Sequence, residues 1–230
     1  MNPTTQQPLS TTLGYAFFDV DDTLISVKSM LSFQNFWYEQ TGDLDGESVY
    51  REDLRRHLHP GASWELLNRL YYRHFAGRVP EQVAALGRQW LRREKQNRAA
   101  FYHPRPLAEL REHQRLGREI VFVSGSFPAL LNPIAEELGV EHVLATELEV
   151  CKGLYTGEIH PPQTIGEGKA EAIRCFLQAR QVAPALCFAY GDDVSDRPML
   201  EAVGQPTVVS GGRELEQWAR RQGWRVISRG

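Results

Sequence analysis

Cysteine is scarce in this sequence: Cys151, Cys175 and Cys187 are widely spaced and form no C-x-x-C pair. Their scarcity argues against a disulfide framework and a zinc site, and it favours a reducing cytoplasm. No window approaches the roughly 18 apolar residues of a membrane span, so we expect no transmembrane segment. Residues 1–12 lack the basic and apolar regions of a secretory signal, and we expect them to form a frayed tail.

The sequence also lacks a strong excess of either acidic or basic residues, since its formal net charge is −3. The charge is uneven along the chain: residues 28–105 hold 13 Lys and Arg against 9 Asp and Glu, and the remainder is acidic. A basic region of this modest size is not typical of a nucleic-acid-binding protein, and we expect no nucleic-acid partner. It fits a small anionic ligand held between the two parts of the chain.

The sequence does contain short apolar runs that resemble buried strands. They are nearly continuous in hydrophobicity, as expected for central parallel strands covered on both faces. These runs are residues 15–20, 119–125, 186–192 and 207–211. Helical patterns lie between them, at residues 106–117, 130–139 and 169–180. The alternation predicts an α/β fold with a doubly wound, Rossmann-like parallel sheet.

Two details qualify this prediction. Pro133 lies in the second helical pattern, so that helix either begins there or is kinked there. Residues 142–150 and 154–159 are separated by a Cys-Lys-Gly turn, and we expect them to form a hairpin beside the sheet.

Residues 28–105 break the alternation of strands and helices. Apolar residues recur there at helical spacing, which predicts three or more amphipathic helices inserted directly after the first strand. We interpret the recurring residues as the core of this helical subdomain; they are Met30, Phe33, Trp37, Trp64, Leu67, Tyr71, Val83, Leu86 and Trp90. The predicted organisation is therefore a sheet-based core of residues 1–27 and 106–230 and an all-helical subdomain of residues 28–105.

The carboxyl ends of the predicted strands carry the residues that indicate chemistry. The first strand ends at Asp19 and Asp21, a second at Ser124, and a later one at Asp192 and Asp196. Ligands of open α/β sheets bind at this edge. Carboxylates gathered there require a hard cation, and oxygen ligands favour Mg²⁺ over zinc or copper.

A lysine completes this pattern. Lys169, at the start of its predicted helix, would bring a second positive charge to the same edge. Cation, carboxylates, hydroxyl and lysine together indicate phosphoryl transfer, in which catalysis consists mostly of positioning and charge neutralisation.

Four motifs in this sequence resemble those of the haloacid dehalogenase superfamily, in the same order. They are D-V-D-D-T at residues 19–23, Ser124 at the end of V-F-V-S, Lys169 in G-E-G-K-A-E-A-I, and G-D-D-V-S-D-R-P-M-L at residues 191–200. The resemblance spans roughly residues 15–210, and the helical insert resembles the cap of the phosphoserine-phosphatase-like branch, subfamily IB.

The resemblance implies a role for each motif residue. Asp19 would be the nucleophile that forms an aspartyl-phosphate, and Asp21 would be the general acid and base. Phosphoryl oxygens would be bound by Ser124, Gly125 and Lys169. The Mg²⁺ ligands would be Asp19, Asp21 through its backbone carbonyl, and Asp192, with either Asp193 or Asp196 completing the site.

The function that follows is hydrolysis of a small organic phosphate monoester by a Mg²⁺-dependent phosphatase. Dehalogenating relatives lack an acid at the position of Asp21, which argues against dehalogenation. The alternatives are a phosphoserine phosphatase, a phosphotransferase of the same family and a catalytically silent binding module.

Substrate specificity is expected to reside in the predicted cap, residues 28–105. The phosphoserine phosphatases carry a glutamate nine residues after the nucleophile, where this sequence has Lys28. A lysine there would repel an ammonium group and favour a carboxylate, a second phosphate or a hydroxyl. The other cap candidates for contact with the leaving group are Arg55, Arg56, His57, Tyr72 and Arg73.

Overall fold

A computed structural model describes residues 13–59 and 61–230, and eight strands run through this part of the chain. They are β1 (Tyr15–Phe18), β2 (Glu119–Ser124), β3 (His142–Ala145), β4 (Glu147–Cys151), β5 (Leu154–His160), β6 (Phe188–Gly191), β7 (Gln205–Val209) and β8 (Arg225–Ile227). Six of them form a parallel sheet in the order β3-β2-β1-β6-β7-β8. The expected tail, residues 1–12, lies outside the described residues.

The described residues also form nine α-helices. They are α1 (Ser29–Thr41), α2 (Leu44–His57), α3 (Trp64–Arg73), α4 (Pro80–Asn97), α5 (Pro104–Arg115), α6 (Pro128–Leu138), α7 (Glu167–Arg180), α8 (Arg197–Glu201) and α9 (Arg213–Gln222). Within residues 13–59 and 61–230, none of these helices has both the length and the apolar character needed to cross a bilayer.

Helices cover both faces of the sheet because β1 is apolar on both sides. Successive side chains of a strand point to opposite faces, so Ala16 and Phe18 join one buried cluster while Tyr15 and Phe17 join the other. Leucines of α5 and α6 belong to the first cluster, and apolar residues of α7, α8 and α9 belong to the second. The predicted α/β class with a doubly wound parallel sheet is confirmed.

The start of α6 differs from the alternatives predicted at Pro133. The helix begins at Pro128, in the first turn, where a missing backbone N–H leaves no hydrogen bond unmade. Pro133 lies inside the helix, which continues to Leu138 and ends at Gly139 in the left-handed conformation, with φ of 66°.

The helices α1–α4 form a helical insertion, residues 29–97, between β1 and β2. Its aromatic core extends to the sheet edge: the ring of Phe33 lies 6.4 Å from Phe75, 6.5 Å from Trp90 and 6.2 Å from Phe127. Because Phe127 follows β2 directly, the insertion packs on the loop at the carboxyl end of that strand.

Trp64 was wrongly expected in the core of the insertion. It is the first residue of α3, after the N-cap Ser63, whose side chain accepts a hydrogen bond from the backbone N–H of Leu66. That position leaves the indole 47% exposed. The boundaries expected for the core (1–27 and 106–230) and for the cap (28–105) stay predictions.

The predicted hairpin is correct only in its second half. His142–Ala145 is a strand of the main sheet and pairs in parallel with β2, and only Glu147–Cys151 pairs antiparallel with Leu154–His160. The division falls at Thr146, whose backbone N–H donates to the carbonyl of Ser126 instead of continuing either ladder. The short edge strand β8 gave no recognisable signal in the sequence.

A buried histidine lies between α5 and the sheet. His113 is 5% exposed, its Nε2 is 2.9 Å from the Tyr190 hydroxyl, and the rings of Phe18 and Phe188 lie beside it. Burial lowers the pKa of His113 to about 4, and the nearby Arg118 adds to the effect. The folded state therefore holds this imidazole neutral at a pH where an unfolded chain would protonate it.

This difference predicts a loss of stability as the pH falls. Between pH 7 and pH 5 the unfolded state binds more protons at residue 113 than the folded state. The stabilisation that comes from the neutral His113 is therefore fully present above the ordinary histidine pKa, and it is lost as the pH falls toward the pKa of about 4 in the folded protein. We expect it to lower the free energy of unfolding by about 1–2 kcal/mol over this interval. Urea denaturation of the wild type and of His113→Phe at the two pH values measures the difference. An equal pH dependence of the two proteins would contradict it.

Candidate active site

The ends of three strands bring the predicted site together. β1 lies between β2 and β6, and all three run in the same direction. Asp19 therefore follows β1 at the edge where Ser124 ends β2 and Asp192 follows β6. All three side chains are buried, with 5%, 2% and 6% exposure respectively.

Lys169 lies between two buried carboxylates of this site, Asp19 and Asp196. Its Nζ donates to Asp19 Oδ1 and to Asp196 Oδ1, each at 2.6 Å. The lysine reaches them from the first turn of α7 and is only 4% exposed. Asp19 and Asp196, 177 positions apart in the chain, thus share one ammonium group.

One lysine does not balance this buried charge. Burial raises the pKa of Asp19 well above its usual range, and the ammonium of Lys169 offsets this only in part. Burial likewise raises the pKa of Asp192 to about 6, with the Asp196 charge adding to it. Burial lowers the pKa of Lys169, but the two carboxylates outweigh burial and raise it overall. A further cation beside Asp19 and Asp192 would favour the ionised form of these two carboxylates.

The donor set fits a divalent metal ion. One oxygen from each of Asp19, Asp192 and Asp196 lies within 4.8 Å of the other two, and all three residues are buried. Carboxylate oxygens are the ligands that hard divalent cations prefer. The Asp193 side chain is not part of this group of three carboxylates. Its Oδ1 accepts hydrogen bonds from the backbone N–H and the hydroxyl of Ser195.

Asp21 is oriented by hydrogen bonds to only one of its two carboxylate oxygens. Its Oδ2 is 2.9 Å from both the backbone nitrogen and the hydroxyl of Ser29, at the start of α1. Its Oδ1 is buried and has no hydrogen-bond partner among the described residues. Burial raises the pKa of Asp21 to about 6, while Ser29 and Lys28 act in the opposite direction. Asp22, with φ of 61°, turns aside and pairs with Lys28 at 2.9 Å.

Asp196 also shapes the loop that carries Asp192. Its Oδ2 accepts hydrogen bonds from the backbone N–H groups of Asp192 and Asp193, with 3.1 Å between nitrogen and oxygen in each. Gly191 is required beside it, because a Cβ at that position would lie 2.6 Å from Cβ of Asp196. Asp196 therefore holds the backbone before it and the ammonium of Lys169 at the same time.

Asp192 is held by residues from the two ends of the chain. The Thr23 hydroxyl donates to its Oδ1 at 2.8 Å, and Arg229 Nη2 donates to its Oδ2 at 2.8 Å. Gly211 leaves room for this arginine, since a Cβ there would lie 2.3 Å from Arg229 Nη2. Sequence reasoning missed Arg229, because a single arginine after a short edge strand carries no local signal.

The loop after β2 contacts the helical insertion through one carbonyl group. The Gly125 carbonyl accepts from Asn68 Nδ2 at 2.8 Å and from the Tyr72 hydroxyl at 2.7 Å. Gly125 itself is confined, since a Cβ there would lie 2.5 Å from Ile165 Cγ1. Within the loop, the backbone N–H of Ser126 donates to the Ser124 hydroxyl at 3.1 Å.

Comparison with known proteins identifies the family. The model of haloacid dehalogenase-like hydrolases matches residues 16–201. The chain belongs to this family. A Mycobacterium tuberculosis protein named as a probable phosphatase is 34% identical over 222 residues, which cover 93% of this chain and 74% of the relative. The predicted superfamily and the predicted class of enzyme, a haloacid dehalogenase-like phosphatase, are confirmed.

Solved structures agree with the fold of this hydrolase. A protein of unknown function from Bordetella pertussis Tohama I has a TM-score of 0.84 at 27% identity and covers 96% of this chain and 100% of its own. A phospho-aspartyl intermediate analogue of phosphoserine phosphatase has a TM-score of 0.66 at 17% identity, covering 95% of this chain and 94% of that one. The second likeness supports the fold alone.

We call Asp19, Asp192 and Asp196 the acidic cluster. A cavity of about 270 Å³ opens between the acidic cluster of this hydrolase and the helical insertion. Asp19, Asp21, Ser124, Gly125 and Lys169 line its sheet side. Its other side is formed by residues of α1, α2 and α3 and the segments next to them. The predicted catalytic and phosphate-binding residues thus share one cavity with the insertion.

The predicted cap residues divide into two groups. Lys28 lines the cavity, with its ammonium paired to Asp22 and 5.9 Å from the ring of Trp64. Arg55 and Arg56 do not line it: both pair with Glu52 on the exposed surface of α2, because residues three and four apart share one helix face.

The other cap candidates also lie apart from the cavity lining. Arg73 is exposed at the end of α3, where its backbone lies beside Gly157 of β5. His57 Nδ1 lies 2.9 Å from the carbonyl of Asp53, and Tyr72 is buried against the Gly125 carbonyl. The cavity residues that sequence reasoning missed include Tyr50, Asp53 and His74.

Arg229→Gln tests the charge balance around Asp192. The substitution leaves a buried carboxylate with less counter-charge, so we expect a loss of about 1–2 kcal/mol in the free energy of unfolding, measured by urea denaturation in EDTA. The loss should shrink in saturating Mg²⁺, because the cation then neutralises the same carboxylate. Arg220→Gln is the control, since Arg220 is 73% exposed and lies 3.8 Å from Glu216. Equal losses with and without Mg²⁺ would contradict this account.

Proposed function

We propose that this hydrolase is a Mg²⁺-dependent phosphatase that cleaves small organic phosphate monoesters through an aspartyl-phosphate on Asp19. The observation that carries the proposal is the contact of Lys169 with Asp19 and Asp196, each at 2.6 Å, beside Asp192 and at the wall of an organic-sized cavity. A buried, oriented carboxylate next to a lysine is suited to attack phosphorus, because the same positive charge can stabilise the phosphoryl oxygens.

The first step transfers the phosphoryl group to the protein. A carboxylate oxygen of Asp19 forms a bond to phosphorus while the bond from phosphorus to the ester oxygen breaks. Asp21 donates a proton to the departing alkoxide, which leaves as an alcohol. The position of Asp21 supports this role, since Ser29 holds one of its oxygens and the other, Oδ1, has no partner among the described residues.

The second step hydrolyses the aspartyl-phosphate. Asp21, now ionised, accepts a proton from a water molecule, whose oxygen attacks phosphorus. The bond between phosphorus and the Asp19 oxygen breaks, so that inorganic phosphate leaves and the Asp19 carboxylate is restored. One residue thus acts first as the acid and then as the base.

Phosphoryl oxygens are bound in this proposal by Ser124, the loop at Gly125 and Lys169, which line the cavity beside Asp19. The metal ion would be held by Asp19, Asp192 and Asp196, with the backbone carbonyl of Asp21. Mg²⁺ supplies neutralisation of the charge on phosphate and carboxylates when it is bound.

The substrate proposal departs from phosphoserine. Lys28 stands where phosphoserine phosphatases have a glutamate, and its ammonium, paired with Asp22, lies in the cavity. Apolar side chains such as Leu31, Leu58 and Trp64 line the same space. These features support a phosphate ester whose alcohol is larger and less polar than serine.

We also propose that the enzyme acts in the cytoplasm. The support is its cysteine chemistry: Cys151, Cys175 and Cys187 all lie in the described part of the chain and are free thiols.

Hydrolysis of p-nitrophenyl phosphate tests the proposed reaction. We expect Mg²⁺-dependent release of phosphate, its loss in EDTA, and a decrease of at least about 1,000-fold in kcat/KM for Asp19→Asn, because the amide is not a nucleophile toward phosphorus. Asp22→Asn is the matched control, three residues away and outside the acidic cluster, and should stay within about 3-fold of the wild type.

Other outcomes would identify the alternatives. Phosphate found on an added alcohol rather than released to water would indicate a phosphotransferase. Tight binding of phosphate and Mg²⁺ in calorimetry, with no turnover of any ester in a broad panel, would indicate a binding module and end the proposal.

A further inference from the structure

The cavity has polar groups on its α2–α3 side that the proposed phosphoryl chemistry does not use. Asp53 of α2 and His74, which follows α3, line it and form a pair with 3.1 Å between Asp53 Oδ2 and His74 Nε2. Tyr50 and Tyr71 line it beside them, with the ring of Tyr50 5.2 Å from His74 and 6.4 Å from Tyr71. We call Tyr50, Asp53, Tyr71 and His74 the α2–α3 polar group.

The hydroxyls of the two tyrosines have no hydrogen-bond partner in the part of the chain that the structure describes. Tyr50 is 3% exposed and Tyr71 4%, and neither hydroxyl has a partner among the described residues. Buried hydroxyls are nearly always hydrogen-bonded, and an unmade bond destabilises the fold. Both residues line the cavity, so its wall near Asp53 contains two hydroxyls whose hydrogen-bonding capacity is unused among the described residues.

Much of the remaining cavity wall is apolar. The apolar part is formed by Met30, Leu31, Leu54, Leu58, Trp64 and Leu67. Leu31, Leu58 and Trp64 are each more than 40% exposed, as expected of side chains that contact a ligand instead of the core. A molecule bound in this cavity is therefore expected to contact apolar and aromatic side chains as well as polar ones.

We propose that the α2–α3 polar group binds a protonated amine of the leaving group, so that the substrate is the phosphate monoester of a bulky, ring-bearing amino alcohol. This inference rests on the proposed function, since it describes the alcohol that the phosphatase releases. Asp53 accepts hydrogen bonds from the ammonium group, and the hydroxyls of Tyr50 and Tyr71 complete its polar surroundings.

The charges around Asp53 favour an amine over a carboxylate. Burial lowers the pKa of His74 by more than the Asp53 carboxylate raises it, which favours the neutral imidazole and adds no positive charge beside Asp53. The ammonium group of Lys28, on which the expected preference for a carboxylate, a second phosphate or a hydroxyl rested, is paired with Asp22 and not with Asp53. The nearby Arg78 lies over the ring of Trp37, at 4.2 Å, and is outside the cavity lining.

Three phosphate esters of similar shape test the inference. Tyramine phosphate carries an amine, 4-ethylphenyl phosphate carries no polar tail, and the phosphate of 3-(4-hydroxyphenyl)propionate carries a carboxylate. For the wild type with Mg²⁺ we expect kcat/KM to be about 10-fold higher for the amine than for the neutral ester, with the carboxylate lowest. Equal values for the three esters would overturn the inference.

Variants of the α2–α3 polar group assign the preference. Asp53→Asn should lower the ratio of kcat/KM between the amine and neutral esters about 10-fold. Glu52→Gln is the matched control, because it removes the neighbouring carboxylate on the exposed face of α2 and should leave the ratio unchanged. Tyr71→Phe should lower the ratio without lowering the melting temperature, since the hydroxyl it removes makes no hydrogen bond to any residue in 13–59 and 61–230. A lower melting temperature with an unchanged ratio would assign that hydroxyl to structure and overturn its part in binding.

A binding measurement separates this inference from the proposed reaction. Calorimetry with Asp19→Asn and the same three esters reports affinity without turnover. If none of the esters is hydrolysed but the amine ester binds most tightly, the proposed function fails and the binding site stands. If the esters are hydrolysed and bound equally well, the proposed function stands and the amine site fails.

Discussion

The ammonium group of Lys169, held between two buried carboxylates, is the interaction on which the site depends. Asp19, Asp192 and Asp196 would repel one another if they were buried without counter-charge, and one lysine together with Arg229 neutralises them only in part. In the proposed function, the excess negative charge attracts a divalent cation, and the cation and the lysine together attract a phosphate. Stability of the folded site and affinity for substrate thus have the same electrostatic origin.

Hydrogen bonds to backbone groups, together with the space left by glycines, fix the positions of the loops that carry the charged residues. Asp196 accepts two backbone N–H groups of its own loop, and Gly191 leaves the space that its side chain occupies. The Gly125 carbonyl accepts from Asn68 and Tyr72, so the loop proposed to bind phosphate is tied to the helical insertion. The loop proposed to bind phosphate and the insertion proposed to bind the organic group are therefore joined by two hydrogen bonds.

The motif residues could be found from the sequence because each follows a short apolar strand, and parallel strands place their carboxyl ends at one edge. No such rule was available for the cap residues, of which Lys28 lines the cavity and Arg55 and Arg56 do not. Arg55 and Arg56 were chosen for their charge, but both pair with Glu52 on the outer face of α2. Helical spacing identifies residues that share a face and does not say whether that face meets the core, a cavity or solvent, as Trp64 also shows.

The sequence by itself determined the α/β class, the family and the identity of the acidic and lysine residues, because these depend on local hydrophobic patterns and short motifs. Only the tertiary structure decided that Arg229 holds Asp192, that the strand expected over 142–150 divides at Thr146, and that the hydroxyls of Tyr50 and Tyr71 have no hydrogen-bond partner among the described residues. The physical reason is that hydrogen bonds and ion pairs between distant segments depend on where the packed elements place them, which spacing along the chain does not encode.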